Sequence, residues 1–91
     1  MQKRYQLRIY GRVQGVYFRG STRQKAEELG LFGFVKNEPD GSVYAEIEGS
    51  ETALDLMIQW CHQGPTMAQV KEVQIKPIEP IGENIFSIIR I

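Results

Sequence analysis

An α+β fold, with two helices laid on one face of an antiparallel sheet, is predicted for this 91-residue chain by three features. Residues 4–10 alternate: Tyr5, Leu7 and Ile9 on one side, Arg4, Gln6 and Arg8 on the other, which is a strand with one buried face. Leu54, Met57, Ile58 and Cys61 fall at i, i+3, i+4 and i+7, the spacing of an amphipathic helix. The remaining apolar runs are short and are separated by turns rich in Gly and Pro, so the element order reads β-α-β-β-α-β plus a short extra C-terminal strand. That order makes the ferredoxin-like sandwich, an antiparallel sheet covered on one face by two helices, with right-handed crossovers.

Each element has its own reason. Gly11 interrupts the first strand and Gly15 follows closely, which marks a loop of unusual backbone angles. Residues 19–29 read as a helix with Phe18, Thr22, Ala26 and Leu29 near one face and Arg23, Gln24, Glu27 and Glu28 on the wet side; Gly30 stops it. Residues 31–36 are aromatic and β-branched and suit a second strand. Asn37 to Ser42 holds Pro39, Asp40 and Gly41, which is turn chemistry, and Val43, Ala45 and Ile47 alternate beyond it, so a hairpin with a loop of about four residues is predicted. Ser50 reads as the N-cap of the second helix, and Gly64-Pro65 ends it. Val73 and Ile75 alternate with Glu72, Gln74 and Lys76 in a fourth strand stopped by Pro77, and Phe86 and Ile88 mark the short last strand.

Composition narrows the function. Hydrophobic residues are 42% and charged residues 24%, as in ordinary globular proteins. The length suits one domain, 1–91, with a modest core. Eleven Lys and Arg balance eleven Asp and Glu, so the basic excess of a nucleic-acid binder is absent in total. A single cysteine makes no intrachain disulfide, no apolar run is long enough for a membrane span, and the N-terminus does not read as a secretory signal. A cytoplasmic monomer with no nucleic-acid or membrane partner is the expectation.

The chemistry concentrates in Gly11-Arg12-Val13-Gln14-Gly15-Val16-Tyr17-Phe18-Arg19, which leaves a strand, forms a glycine-bearing loop and enters a helix. A helix start offers free N–H groups and the positive end of the dipole, and converging loop amides add a concavity for an anion. Arg19 at that start brings a planar fork able to bind two phosphoryl oxygens. Loop amides plus one arginine make a complete site for a terminal phosphate. Many loops of this spacing bind nothing, and most arginines are solvated, so spacing alone leaves both readings open. Neither a Walker loop nor a dinucleotide fingerprint is present.

That nine-residue segment closely resembles the first signature of the acylphosphatase family. Gly33-Phe34-Val35-Lys36-Asn37, followed by Asp40-Gly41-Ser42-Val43, is similar to the family's second. The stretch from Trp60 to Val73, with Gly64-Pro65, Ala68 and Val70, and the closing Phe86-Ser87-Ile88 extend the likeness over almost the whole chain. The resemblance implies hydrolysis of acyl phosphates to carboxylate and inorganic phosphate, with no cofactor and no metal. It implies that Gln14, Gly15, Val16, Tyr17 and Phe18 supply backbone amides to the phosphate, that Arg19 binds it, that Asn37 orients the hydrolytic water, and that Thr22 supports the site from the helix. Tyr17, Gly20 and Ser21 stand where the family varies. Glu38 is an uncomfortable neighbour for an anion and is expected to point to solvent.

Other residues read more plainly. His62 at the end of the second helix complements its dipole, and Cys61 on the apolar stripe is a small hydrophobe rather than a nucleophile. No His, Cys and carboxylate cluster has metal-ligand spacing. Glu46 and Glu48 read as solvated or helix-covering, Arg12 and Lys36 as surface charge that adds positive potential if near the pocket, and Trp60 as packing. Two rival functions share the fold. A non-catalytic anion-binding module would keep Arg19 but has no need of Asn37. An RNA-binding domain would place aromatics on the open sheet face in a basic field, and neither a ribonucleoprotein motif nor such a charge is evident.

Overall fold

A computed structural model describes residues 2–90. The elements are β1 (Lys3–Arg12), α1 (Phe18–Glu28), β2 (Phe32–Asn37), β3 (Val43–Gly49), α2 (Glu51–Gln63), β4 (Gln69–Ile78) and β5 (Phe86–Ile89). They form one five-stranded sheet in the order β4-β1-β3-β2-β5. The pairs β1–β3, β1–β4 and β2–β3 are antiparallel, as predicted, whereas the terminal β5 adds to β2 in parallel. The sheet is therefore mixed, because the chain must cross from one edge, β4, to the other before β5 begins.

The helix-facing side of the sheet carries Leu7, Ile9, Val35, Val43, Ala45 and Ile47, which pack against Phe18, Ala26, Leu54, Met57 and Cys61. Burying each large aliphatic side chain is worth about 1.5–3 kcal/mol. The periodicity that predicted α2 is the face it buries: Leu54, Met57 and Cys61 are inside, and the Ser50 hydroxyl accepts the Ala53 N–H at 3.2 Å. Trp60 packs tilted against Phe18, ring centroids 5.6 Å apart.

Three local expectations change. Gly11 does not interrupt β1; the strand runs on to Arg12, and the register shifts between Tyr10 and Gly11 so that Lys71 is the extra residue of a bulge. Gly11 has φ 128°, and a Cβ there would collide with the Gln69 carbonyl. The bulge puts Val70 and Val73, three apart, on the same buried side of β4, while Ile75 is 43% exposed. Pro77 does not stop β4 either, because it pairs opposite Tyr5 on an edge strand, where a missing N–H can face outward.

The open face of the sheet also departs from expectation. Arg4, placed on the face opposite the apolar one, and Glu48, read as solvated or helix-covering, are each only 2% exposed. Arg4 Nη1 donates to Glu48 Oε1 at 3.0 Å, its Nε donates to Glu46 Oε1 at 2.9 Å, and its Nη2 lies 2.7 Å from Glu83 Oε1 as an ion pair without hydrogen-bond alignment. Glu48 in turn accepts the N–H groups of Ile81 and Gly82, both at 2.9 Å. The connection from β4 to β5 is thus strapped to the sheet by charge. Burial alone would raise the Glu48 pKa, but the Ile81 N–H, Arg4 and the Gly82 N–H outweigh it and hold the carboxyl below its usual range.

Candidate active site

The two ends of β1 and β2 nearest the start of α1 build the site. β1 finishes at Arg12, the chain turns through Gly15 at φ 75°, and Tyr17 takes a left-handed conformation (φ 63°, ψ 29°) before α1 begins at Phe18. A non-glycine residue in that conformation costs about 1–2 kcal/mol, so the loop is held in shape by its surroundings. Val13, Val16 and Phe18 are buried and pin the loop to the core, while Tyr17 is 74% exposed.

The two helix starts contrast. At α2 the Ser50 side chain caps the backbone and Glu51 sits in the first turn. At α1 no side chain caps the first turn and no acidic residue lies in it. The first N–H groups of α1 are thus left without a side-chain acceptor, at the positive end of the helix dipole.

Arg19 and Asn37 line one cavity of about 330 Å³, together with Gln14, Gly15, Tyr17, Phe18, Ile88 and two arginines not assigned to the site from the sequence, Arg23 and Arg90. Asn37 is the last residue of β2, and its Oδ1 is buried with no hydrogen-bond partner among the described residues. A buried acceptor left unpaired costs about 1–3 kcal/mol. Val16, assigned to the phosphate from the sequence, is buried in the core and is not among the residues that line the cavity. Thr22 is buried behind it, and its hydroxyl donates to the Phe18 carbonyl at 2.8 Å within α1.

The two halves of the site are tied by a contact that sequence reasoning missed. The Gln14 side-chain Nε2 donates to the Glu38 carbonyl at 2.8 Å and to the Ser42 carbonyl at 2.9 Å. Glu38 and Ser42 bracket the β2–β3 turn, which is closed by the Glu38 N–H on the Ser42 carbonyl at 2.9 Å and by Asp40 Oδ1 accepting the Ser42 N–H at 2.9 Å. Glu38 does not simply point to solvent. Its carboxylate lies 3.4 Å from Lys36 Nζ and 3.6 Å from Arg8 Nη1, and it does not line the cavity. Its charge is answered by two cations, so the repulsion feared for an anionic ligand is muted.

Lys36 and Arg12 do not line the cavity; the additional arginines are Arg23 and Arg90. Arg23 was legible as the residue one helical turn beyond Arg19, and Arg90 was not, since only the parallel β5 brings it there. Cys61 is fully buried, and burial pushes its thiol pKa up to about 12, which removes it as a nucleophile. No group of three or more His, Cys, Asp or Glu that could hold a metal occurs among the described residues, and no helix of those residues is long and apolar enough to cross a membrane.

Fold and site together define a ferredoxin-like α+β protein with an arginine-lined cavity at a helix start. The chain belongs to the acylphosphatase family, whose model matches residues 5–88. An acylphosphatase of Thermococcus kodakarensis is 49% identical over 86 residues, which cover 94% of each chain. Among solved structures, an acylphosphatase from Coxiella burnetii superposes with a TM-score of 0.93 at 34% identity, covering 96% of this chain and 92% of that one. An acylphosphatase from Bacillus subtilis gives the same TM-score at 33% identity, covering 99% of this chain and all of its own.

Proposed function

We propose that the chain performs its family's reaction, hydrolysis of acyl phosphates, by direct in-line attack of water on a phosphoryl group held by the 14–19 loop and Arg19, with Asn37 orienting the water. The observation that carries this reading is that Arg19 and Asn37, from two separate motifs, line one cavity.

The chemistry asks little more. Water forms a bond to phosphorus as the bond from phosphorus to the acyl oxygen breaks, giving a carboxylate and inorganic phosphate. The leaving carboxylate has a conjugate acid of pKa about 4, so it departs as an anion and needs no proton from the enzyme. A loose phosphoryl-transfer transition state demands little activation of the nucleophile. Positioning and charge stabilisation remain, and these are what loop amides, a guanidinium fork and a carboxamide supply. The Asn37 carboxamide both donates and accepts, so the group is able to hold a water and fix its approach. Gln14, Gly15, Tyr17 and Phe18 present the loop to the phosphoryl oxygens. Val16 and Thr22 stabilise that loop and helix from behind.

The reading takes the protein as a cytoplasmic monomer; its one cysteine is free and buried, which fits a reducing compartment. The test is release of phosphate from benzoyl phosphate in the presence of a chelator. Turnover that survives the chelator, and that Arg19→Lys reduces by about tenfold or more because the planar fork is lost, supports the mechanism. Turnover abolished by the chelator, or a Lys variant equal to wild type, contradicts it.

A further inference from the structure

The phosphoryl seat calls for one arginine, and the cavity has three. Arg19, Arg23 and Arg90 all line it, and no Asp or Glu is among its lining residues. A phosphoryl group carries about two negative charges at neutral pH. Helix-start amides already answer part of that charge, so the pocket holds positive charge in excess of what its phosphoryl end requires.

The surplus is arranged. Arg23 stands four residues beyond Arg19 in α1, on the same face of the helix. A helical side chain covers the turn N-terminal to its own Cα, so Arg23 reaches back toward Arg19 and the uncapped helix start. Like charges at this spacing work against the helix, and the first turn has no acidic residue to relieve them. The ion pairs among the described residues engage Lys3, Arg4, Arg8, Lys25 and Lys36, and none of the three cavity arginines. Arg90 arrives from another direction, just past β5, which lies parallel to the strand that ends on Asn37. Ile88, on β5, lines the cavity as well.

We infer that Arg23 and Arg90 form a second anion subsite beside the phosphoryl seat, so that the favoured substrates are acyl phosphates whose acyl part carries another negative group. The inference rests on the proposed mechanism for where the phosphoryl group sits. A carboxylate or a second phosphate on the acyl part meets guanidinium forks that bind either in bidentate fashion. An uncharged acyl part leaves both arginines hydrated and gains nothing from them. Selectivity for the acyl end therefore comes from charge.

Two acylphosphonates, in which a carbon–phosphorus bond prevents hydrolysis, separate the subsites: benzoylphosphonate and 4-carboxybenzoylphosphonate. Binding is measured by calorimetry on the full chain at fixed ionic strength. The wild type is expected to bind the carboxylated compound about tenfold more tightly. Arg23→Gln is expected to cut that ratio to about threefold or less, Arg90→Gln to reduce it as well, and Arg23→Lys to retain part of it. Thermal melting of each variant checks that the fold is kept. Equal binding of the two phosphonates by wild type, or a preference that persists unchanged in both Gln variants, overturns the second subsite and leaves the phosphoryl seat standing. Binding of neither phosphonate overturns both.

Discussion

Gln14 and Glu38, on the two segments that build the site, are joined by a 2.8 Å hydrogen bond from the Gln14 carboxamide nitrogen to the Glu38 carbonyl. The same nitrogen reaches the Ser42 carbonyl at 2.9 Å, so one side chain spans both ends of the β2–β3 turn. Asn37 immediately precedes that turn. Gln14 therefore ties the 14–19 loop to the turn that follows the residue proposed to aim the water.

Gln14→Ala is expected to uncouple these halves without unfolding the chain. Both carbonyls keep a backbone partner, the Gly41 N–H on Glu38 at 3.1 Å and the Glu38 N–H on Ser42 at 2.9 Å, so the stability loss is about 1–2 kcal/mol. Turnover of benzoyl phosphate is expected to fall by about tenfold or more, because small misplacement of reacting groups is costly. Melting and steady-state kinetics measured on the same preparation check both halves. A variant with full kcat would show that the loop and turn hold their spacing without Gln14.

The glycines of the first loop are expected to differ in cost. Gly15 has φ 75° but open space around a Cβ, so Gly15→Ala pays only backbone strain, about 1 kcal/mol. Gly11→Ala adds a collision with the Gln69 carbonyl across the bulge and is expected to lose several times more. Urea unfolding of the two variants ranks them; equal losses would mean that the bulge opens easily.

The Arg4 cluster gives a prediction with a sign. Glu48 has a pKa held below 4.5 in the folded chain, so near pH 4 the unfolded state binds more protons than the folded one, and stability rises with pH. That contribution is complete above about pH 4.5 and is lost as the pH falls through the lower, folded value. Arg4→Met reverses the logic. It leaves Glu46, Glu48 and Glu83 crowded without their cation, so the folded state then favours protonated carboxyls. Arg4→Met is expected to cost about 3–5 kcal/mol at neutral pH and to recover part of that loss as the pH is lowered toward 5. Urea midpoints across that range measure it, and a loss that stays constant with pH would show that the cluster is not electrostatically coupled.

The residues show where sequence reasoning reaches its limit. Alternation in β1 and the i, i+3, i+4, i+7 stripe of α2 were legible because each is a local period set by one buried face. The arginine-bearing start of α1 was legible from a contiguous pattern, a strand, a loop with Gly11 and Gly15, and Arg19 at the helix entry. The burial of Arg4 and Glu48 was not legible, since it depends on a strap that begins some thirty residues beyond Glu48 and could not be placed beforehand. The bulge at Lys71 and the continuation of β4 through Pro77 depend on pairing with β1, not on any local pattern. In the site, Arg19, Gln14, Tyr17, Phe18 and Asn37 came from contiguous motifs, whereas Arg90 and Ile88 reach the cavity only through the parallel β2–β5 pair.

The central claim is a division of labour between the guanidinium of Arg19 and the carboxamide of Asn37, and Asn37→Ala tests it most directly. The measurement pairs kcat for benzoyl phosphate with the dissociation constant for inorganic phosphate in wild type and variant. The account predicts that kcat falls by about 10²–10³ or more while phosphate still binds within a fewfold of wild type, because Asn37 serves the attacking water and not the bound anion. A kcat close to wild type, or a loss of phosphate affinity as large as the loss of turnover, would contradict it.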